Sequence, residues 1–214
     1  MKCAIVPVTP YQQNCSILVC EQTNKAALVD PGGDLEKIEQ VLAELGVTLD
    51  IILLTHGHMD HCAIADDVRQ KYGIKIEGPH IADRFWIDQL PQTCEMSGFP
   101  RAESFVPDRW LECGDAVSFG KVNLEVKHCP GHTPGHVIFF SPESKLAIVG
   151  DVLFKGSIGR TDFPMGNHGD LINAIREKLW PLGDDVSFVP GHGPTSTFGE
   201  ERRSNPFVAD PNFG

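Results

Sequence analysis

Three imidazoles and a carboxylate fall within six residues, at His56, His58, Asp60 and His61. They follow the apolar run Ile51-Ile52-Leu53-Leu54, which reads as a buried strand. His56 and His58 stand two apart on chain that is still extended, so their side chains point the same way. Asp60 and His61 lead into a helical pattern continued by Ile64, Ala65, Val68 and Tyr72, so the chain turns a corner and returns two more donors to the same spot. Neutral imidazole and carboxylate form a donor set suited to zinc, iron or manganese. A polar loop in which Asp60 caps the helix would need only one of these four groups.

Three further stretches repeat one pattern of apolar strand, glycine and ligand-type side chain. They are Pro130-Gly131-His132, Gly150-Asp151 and Pro190-Gly191-His192. Loops at strand ends converge on ligand sites, and glycine lets the backbone approach a crowded centre. Taken singly, Asp151 could be a turn aspartate and the two histidines loop residues. Together the seven donors exceed the need of one tetrahedral ion and suit two ions about 3.5–4 Å apart. The expected division is His56, His58 and His132 on the first ion, Asp60, His61 and His192 on the second, and Asp151 bridging. Neither ion is then saturated by protein, as in a hydrolytic rather than a structural site. His136 reads as either a hydrogen-bonding supporter of the ligands or a core histidine. His80, His128 and His168 read as solvent or helix-end residues.

Alternating short strands and helices must position these groups. Strands are expected at 4–8, 16–20, 26–29, 51–54 and 74–76, then at 116–119, 122–126, 137–140, 147–149 and 186–189. Asp34 is expected to cap a helix with apolar positions Leu35, Ile38, Val41, Leu42 and Leu45, ended by Gly46. Further helices are expected at 64–72, 80–90 and 169–180. Prolines and a glycine mark 91–108 as loop, and 206–214 as a loosely held tail.

The chain has 214 residues, enough for one substantial core, so a single α/β domain over 1–214 is expected. Its formal charge of −11, with no basic run, argues against a nucleic-acid partner. No stretch approaches transmembrane length, and the apolar run at the start is too short for a signal peptide. Seven cysteines, odd in number and never spaced C-x-x-C, read as reduced thiols of a cytoplasmic protein.

The His56-x-His58-x-Asp60-His61 motif with His132, Asp151 and His192 resembles the metallo-β-lactamase superfamily over nearly the whole chain. Asp30-Pro31-Gly32, Thr133-Pro134-Gly135-His136 and Pro190-Gly191-His192-Gly193 are similar to its other signatures. Gly150-Asp151-Val152-Leu153-Phe154 and Gly159-Arg160-Thr161-Asp162-Phe163 resemble the glyoxalase II branch. Glu201-Arg202-Arg203-Ser204-Asn205-Pro206-Phe207 is similar to the end of the short bacterial YcbL type. The resemblance implies an αβ/βα four-layer sandwich: two mixed β-sheets face to face, helices outside and metals at one edge.

The implied activity is that of a metal-dependent thioester hydrolase, cleaving S-(2-hydroxyacyl)glutathione such as S-lactoylglutathione with a metal-bridging hydroxide. Two divalent ions per chain are implied, zinc first, with iron or manganese as alternatives. Asp60 would also orient the hydroxide as a catalytic residue. Arg160, from a basic position that contacts glutathione in the family, would hold the substrate, and Lys155 would add positive potential. The partner would be a small glutathione thioester and the state a monomer, with no nucleic acid and no membrane. The helical C-terminal segment of full-length glyoxalase II is missing or reduced, which implies a more open site. Cys62, where the family commonly has glycine-type residues, reads as a buried thiol or a neighbour of the second ion. The alternative is a mono-iron persulfide dioxygenase, which shares the fold and would use His56, His132 and Asp151. A phosphodiesterase, a β-lactamase and a non-catalytic metal module fit the sequence less well.

Overall fold

The computed structural model describes residues 1–210. Its strands are β1 (Lys2–Val8), β2 (Gln13–Cys20), β3 (Lys25–Val29), β4 (Thr48–Leu53), β5 (Lys75–Glu77), β6 (Ala116–Phe119), β7 (Val122–His128), β8 (Val137–Ser141), β9 (Leu146–Gly150), β10 (Leu153–Phe154), β11 (Ser157–Ile158), β12 (Ser187–Pro190) and β13 (Ser196–Thr197). One sheet runs β1-β2-β3-β4-β5, antiparallel as far as β3 and parallel from there on. The other runs β13-β12-β9-β8-β7-β6, with β12 parallel to β9 and the remaining neighbours antiparallel. β10 and β11 make a separate hairpin.

The helices are α1 (Leu35–Leu45), α2 (Met59–Cys62), α3 (Ala65–Tyr72), α4 (Arg84–Asp88), α5 (Leu90–Ser97), α6 (His168–Ala174) and α7 (Phe198–Ser204). Continuous apolar runs are buried on both faces, and alternate residues go to opposite layers. In β4 and just after it, Ile51 and Leu53 enter the core between the sheets, while Ile52 and Leu54 face the outer layer with Ile38, Leu42 and Val68. In β8, Phe139 points between the sheets, while Ile138 and Phe140 meet Leu171, Ile175 and Phe198 on the far side. Each such side chain, fully buried, stabilises the fold by about 1.5–3 kcal/mol. The result is the expected αβ/βα sandwich of four layers.

Four expectations need correction. Asp34 has φ 51° and makes no side-chain cap; its carboxylate instead accepts from the Thr9 N–H at 2.8 Å and ties α1 to the end of β1. The supposed loop after residue 90 begins with α5. Pro91 sits in its first turn, where a missing N–H is harmless, Leu90 and Cys94 are buried, and Gly98 ends it in the left-handed conformation. The helix expected at 169–180 is α for its first half only; it widens to a π-turn over Ile175–Leu179 before Pro181 stops it. The tail is not loose as far as it is described, because Val208 is fully buried against the α6 and α7 layer. The rest of that tail, 211–214, lies outside the described residues.

Candidate metal centre

All seven expected donors meet at one edge of the sandwich, delivered by four strand ends. The turn after β4 carries His56 and His58, and α2 returns Asp60 and His61. The β7–β8 connection carries His132, β9 ends at Asp151, and β12 ends before His192. His56 Nε2 and His132 Nε2 lie 3.1 and 3.0 Å from His58 Nδ1. Across the site, His192 Nε2 and His61 Nε2 lie 3.2 and 3.7 Å from Asp60 Oδ2. The Asp151 carboxylate reaches both groups, 3.5 Å from His132 Nε2, 3.5 Å from His61 Nε2 and 3.7 Å from His192 Nε2.

The outward nitrogens show why these lone pairs converge. Thr55 Oγ1 donates to Asp30 Oδ2 at 2.6 Å and can therefore accept from His56 Nδ1 at 3.0 Å. His61 Nδ1 donates to Asp30 Oδ2 at 3.0 Å, His132 Nδ1 to the Arg160 carbonyl at 2.8 Å, and His192 Nδ1 to the Tyr11 carbonyl at 3.1 Å. With Nδ1 occupied in these four rings, Nε2 is left to face the centre, whereas His58 turns Nδ1 inward. His136 Nε2 accepts the Asp151 N–H at 3.0 Å, so this histidine supports a donor rather than being one.

Burial, then neighbouring histidines, hold His56 and His58 well below the usual imidazole range, and burial also lowers His132. Three neutral imidazoles therefore turn a nitrogen each toward one point, an arrangement that suits a cation. In the second group burial opposes charge on His61, but Asp151, Asp60 and Asp30 outweigh it and raise the imidazole to about 9. Burial would likewise raise Asp60, yet His61 and His192 hold its carboxyl well below the usual range. His61 Nε2 and Asp151 Oδ1 are buried with no hydrogen-bond partner among the described residues. The donor set, its orientation and these orphaned atoms fit two divalent ions.

Residues 8–192 match the Metallo-beta-lactamase superfamily. The chain belongs to this superfamily. A relative 46% identical, over 97% of this chain and 98% of its own, is the hydroxyacylglutathione hydrolase GloC of Haemophilus influenzae. The glyoxalase II branch expected from the sequence is thus the branch of that relative. Two solved structures are also similar. BLEG-1, a B3 metallo-beta-lactamase, superposes with a TM-score of 0.90 at 34% identity, covering 98% of this chain and 100% of that one. TTHA1623, in a di-iron-bound form, gives 0.87 at 32% identity, covering 96% and 100%.

In this member of the superfamily the centre opens into a cleft of about 720 Å³. Tyr11, Met59, Trp86, Phe154, Ile158 and Phe163 give it apolar walls. Phe163 and Trp86 pack edge-on to His58, with centroids 4.7 and 4.5 Å away. Arg160 lines the cleft as expected, but it is braced by Asp162 through two 2.6 Å hydrogen bonds and lies 4.3 Å from the Phe163 centroid. Lys155 does not join the site: it lies on the exposed turn of the β10–β11 hairpin, outside the cleft lining. Cys62 is a buried thiol whose Sγ contacts the His58 carbonyl at 3.2 Å. His80 caps the turn Ile81–Asp83 and stacks on His128 at 4.3 Å, while His168 is exposed.

Sequence reasoning missed two buried carboxylates. Asp30, noted in the sequence within the Asp30-Pro31-Gly32 signature and given no role, holds Thr55 and His61. Asp83, inside an expected helix, accepts from the Gly57 N–H, Thr133 Oγ1 and the Gly135 N–H. Burial pushes its carboxyl up to about 6 against the pull of those three donors. Asp30 had a signal, since it stands at a strand end beside glycines. Asp83 had none, because its partners are 26 to 52 residues distant.

Proposed function

We propose that the chain, acting as one domain, is a metal-dependent thioester hydrolase of the hydroxyacylglutathione type. The observation that carries this reading is the second donor group, Asp60, His61 and His192, assembled opposite the first with Asp151 reaching both. A mono-iron persulfide dioxygenase would need only His56, His132 and Asp151 and leaves this second group without a use. We propose His56, His58 and His132 as ligands of one ion, Asp60, His61 and His192 as ligands of the other, and Asp151 as the bridge. Two divalent ions, zinc in this proposal, would supply Lewis acidity and a nucleophilic water at neutral pH.

The side chains do the remainder. Asp60, pinned by His192 at 3.2 Å, accepts a hydrogen bond from the attacking water and orients it. A thiolate leaves without a dedicated general acid. Arg160 offers fixed positive charge to a substrate carboxylate at the cleft wall. The apolar walls favour a small acyl group held against Phe163 and Trp86 and exclude water around the reacting carbonyl.

A small glutathione thioester as partner, a monomeric state and a cytoplasmic setting belong to the same proposal. Among the described residues no helix is long and apolar enough to cross a membrane. The test is loss of the S-lactoylglutathione thioester absorbance with zinc-loaded protein, before and after chelation, beside a chromogenic β-lactam and glutathione persulfide under oxygen monitoring. Rapid, chelator-sensitive loss of the thioester alone is expected. Oxygen uptake with persulfide by iron-loaded protein, without thioester cleavage, would replace the reading with the dioxygenase.

A further inference from the structure

Asp83 is fully buried, carries three hydrogen bonds and touches none of the seven proposed ligands. Two of its three donors adjoin ligands of the first ion, and the third, Gly135, lies in the same loop as His132 and precedes His136. Gly57 lies between His56 and His58, and its N–H donates to Oδ2 at 2.9 Å. Thr133 follows His132, and its hydroxyl donates to the same oxygen at 2.8 Å. Gly135 closes that loop, donating to Oδ1 at 2.6 Å. A carboxylate buried away from water needs such donors.

The close fit is visible in the glycines. A Cβ on Gly135 would stand 2.7 Å from Asp83 Cβ and Cγ, and one on Gly57 would stand 3.1 Å from the Asp83 carbonyl oxygen and 2.8 Å from Trp86 Cβ. The second ion's ligands are held differently. His61 hangs on Asp30, and His192 on the Tyr11 carbonyl. Asp30 also reaches His56 through Thr55, so it serves both groups. Asp83 serves one.

We propose that Asp83 is a positioning residue for the first metal site alone, a staple that sets the His56–His58 turn against the His132 loop. This rests on the two-ion reading given above. The staple fixes the 3.0 and 3.1 Å approaches of His132 and His56 to His58, so that the first ion meets three preset nitrogens. Without it the two loops keep the Val137 N–H to Thr55 carbonyl bond and the ring contacts of His56 with His136 and His58 with His132, but lose the tie between their backbones beside the ligands. Supports of this kind carry about 10–100-fold in metal affinity.

The experiment is a Co2+ titration of metal-free protein, followed by visible absorption, with zinc competition for absolute affinities. His58→Ala and His192→Ala identify which step belongs to which ion. In Asp83→Asn the step that His58→Ala removes is expected to weaken about 10–100-fold. The step that His192→Ala removes stays within about threefold, since nothing holding it has changed. Thr133→Val keeps both backbone donors on the carboxylate and is expected to weaken the same step several-fold. Near-ultraviolet circular dichroism of each metal-free variant reports its packing, and if Asp83→Asn does not fold, Thr133→Val decides. Equal weakening of both steps, weakening of the His192 step, or no change in either would overturn the role of Asp83 while leaving the metal centre standing. Wild-type protein that takes up no metal would overturn both.

Discussion

Gly191→Ala tests the centre through a single methyl group. Gly191 precedes His192, and its backbone passes so close to the proposed bridge that a Cβ would lie 2.0 Å from Asp151 Oδ1 and 2.7 Å from His61 Cε1. Real Cβ contacts essentially never fall below 3.0 Å, so the carboxylate or the loop must move by about 1 Å. Metal sites tolerate ligand displacements of about 0.2 Å. The methyl thus asks for roughly five times the permitted shift, at the residue that serves both ions. The backbone at Gly191 is not in the left-handed region, so alanine brings no conformational strain of its own. We expect metal affinity to fall at least about 100-fold, beyond the range for losing a supporting residue, and hydrolysis to fall with it. The assay is metal content after dialysis against a graded chelator, with thioester turnover measured on the same samples. Gly46→Ala is the control: Gly46 has φ 63° and open space around it, so it loses about 1 kcal/mol of stability and no metal. A Gly191→Ala protein that keeps two ions at wild-type affinity would refute the placement of Asp151 between them.

In metal-free protein, stability is expected to fall as the pH drops below about 6.5. His56, His58, His132 and His136 are neutral in the fold but charge in the unfolded chain, so the unfolded state binds more protons. Each contributes up to about 1.4 kcal/mol per pH unit. His61, raised to about 9, acts in the opposite sense: its contribution is present at pH 6 and lost as the pH passes 9. Urea midpoints at pH 5.5, 7.5 and 10 check both limbs, and a flat profile would contradict them. Arg160→Ala is expected to raise KM for S-lactoylglutathione about tenfold with kcat and metal content little changed, because His132 is held by the Arg160 backbone carbonyl, which alanine retains. Loss of metal in that variant would contradict this division. Val208→Ala removes two fully buried methyl groups and is expected to destabilise by about 2 kcal/mol, lowering Tm by about 4–8 °C. An unchanged Tm would mean that the tail is as loose as its prolines suggest.

The donors were legible because they announce themselves locally. Histidine and aspartate after an apolar run and a glycine can be seen without knowing where the strands pair. The buried strands were legible for a similar reason, since runs such as Ile51-Ile52-Leu53-Leu54 must be buried on both faces, whereas the four-layer sandwich rested on the family resemblance. What escaped depends on distant partners. Asp34 looks like a helix cap until Thr9 claims its carboxylate. Pro91 looks like a loop marker until α5 is seen to start with it. Asp83 and the tail residue Val208 carry no local mark, and their roles exist only once remote segments have packed. Lys155 stands on a hairpin whose Phe154 and Ile158 line the cleft, while its own side chain lies on the exposed turn.

Neither sheet owns the centre. His56, His58, Asp60 and His61 come from the end of β4, while His132, Asp151 and His192 come from the loops and strand ends of the opposite sheet. In the proposed division each ion would take ligands from both. A chain still emerging from synthesis, with only its first sheet formed, holds two histidines for one site and an aspartate and a histidine for the other. In the proposed division, loading of the second site must therefore wait for β12, which brings His192, to dock. Metal uptake then reports that folding is complete, and an ion once bound stabilises the folded state by about 2.7 kcal/mol at a hundredfold excess over its Kd. The centre acts as the last clasp on the assembled molecule.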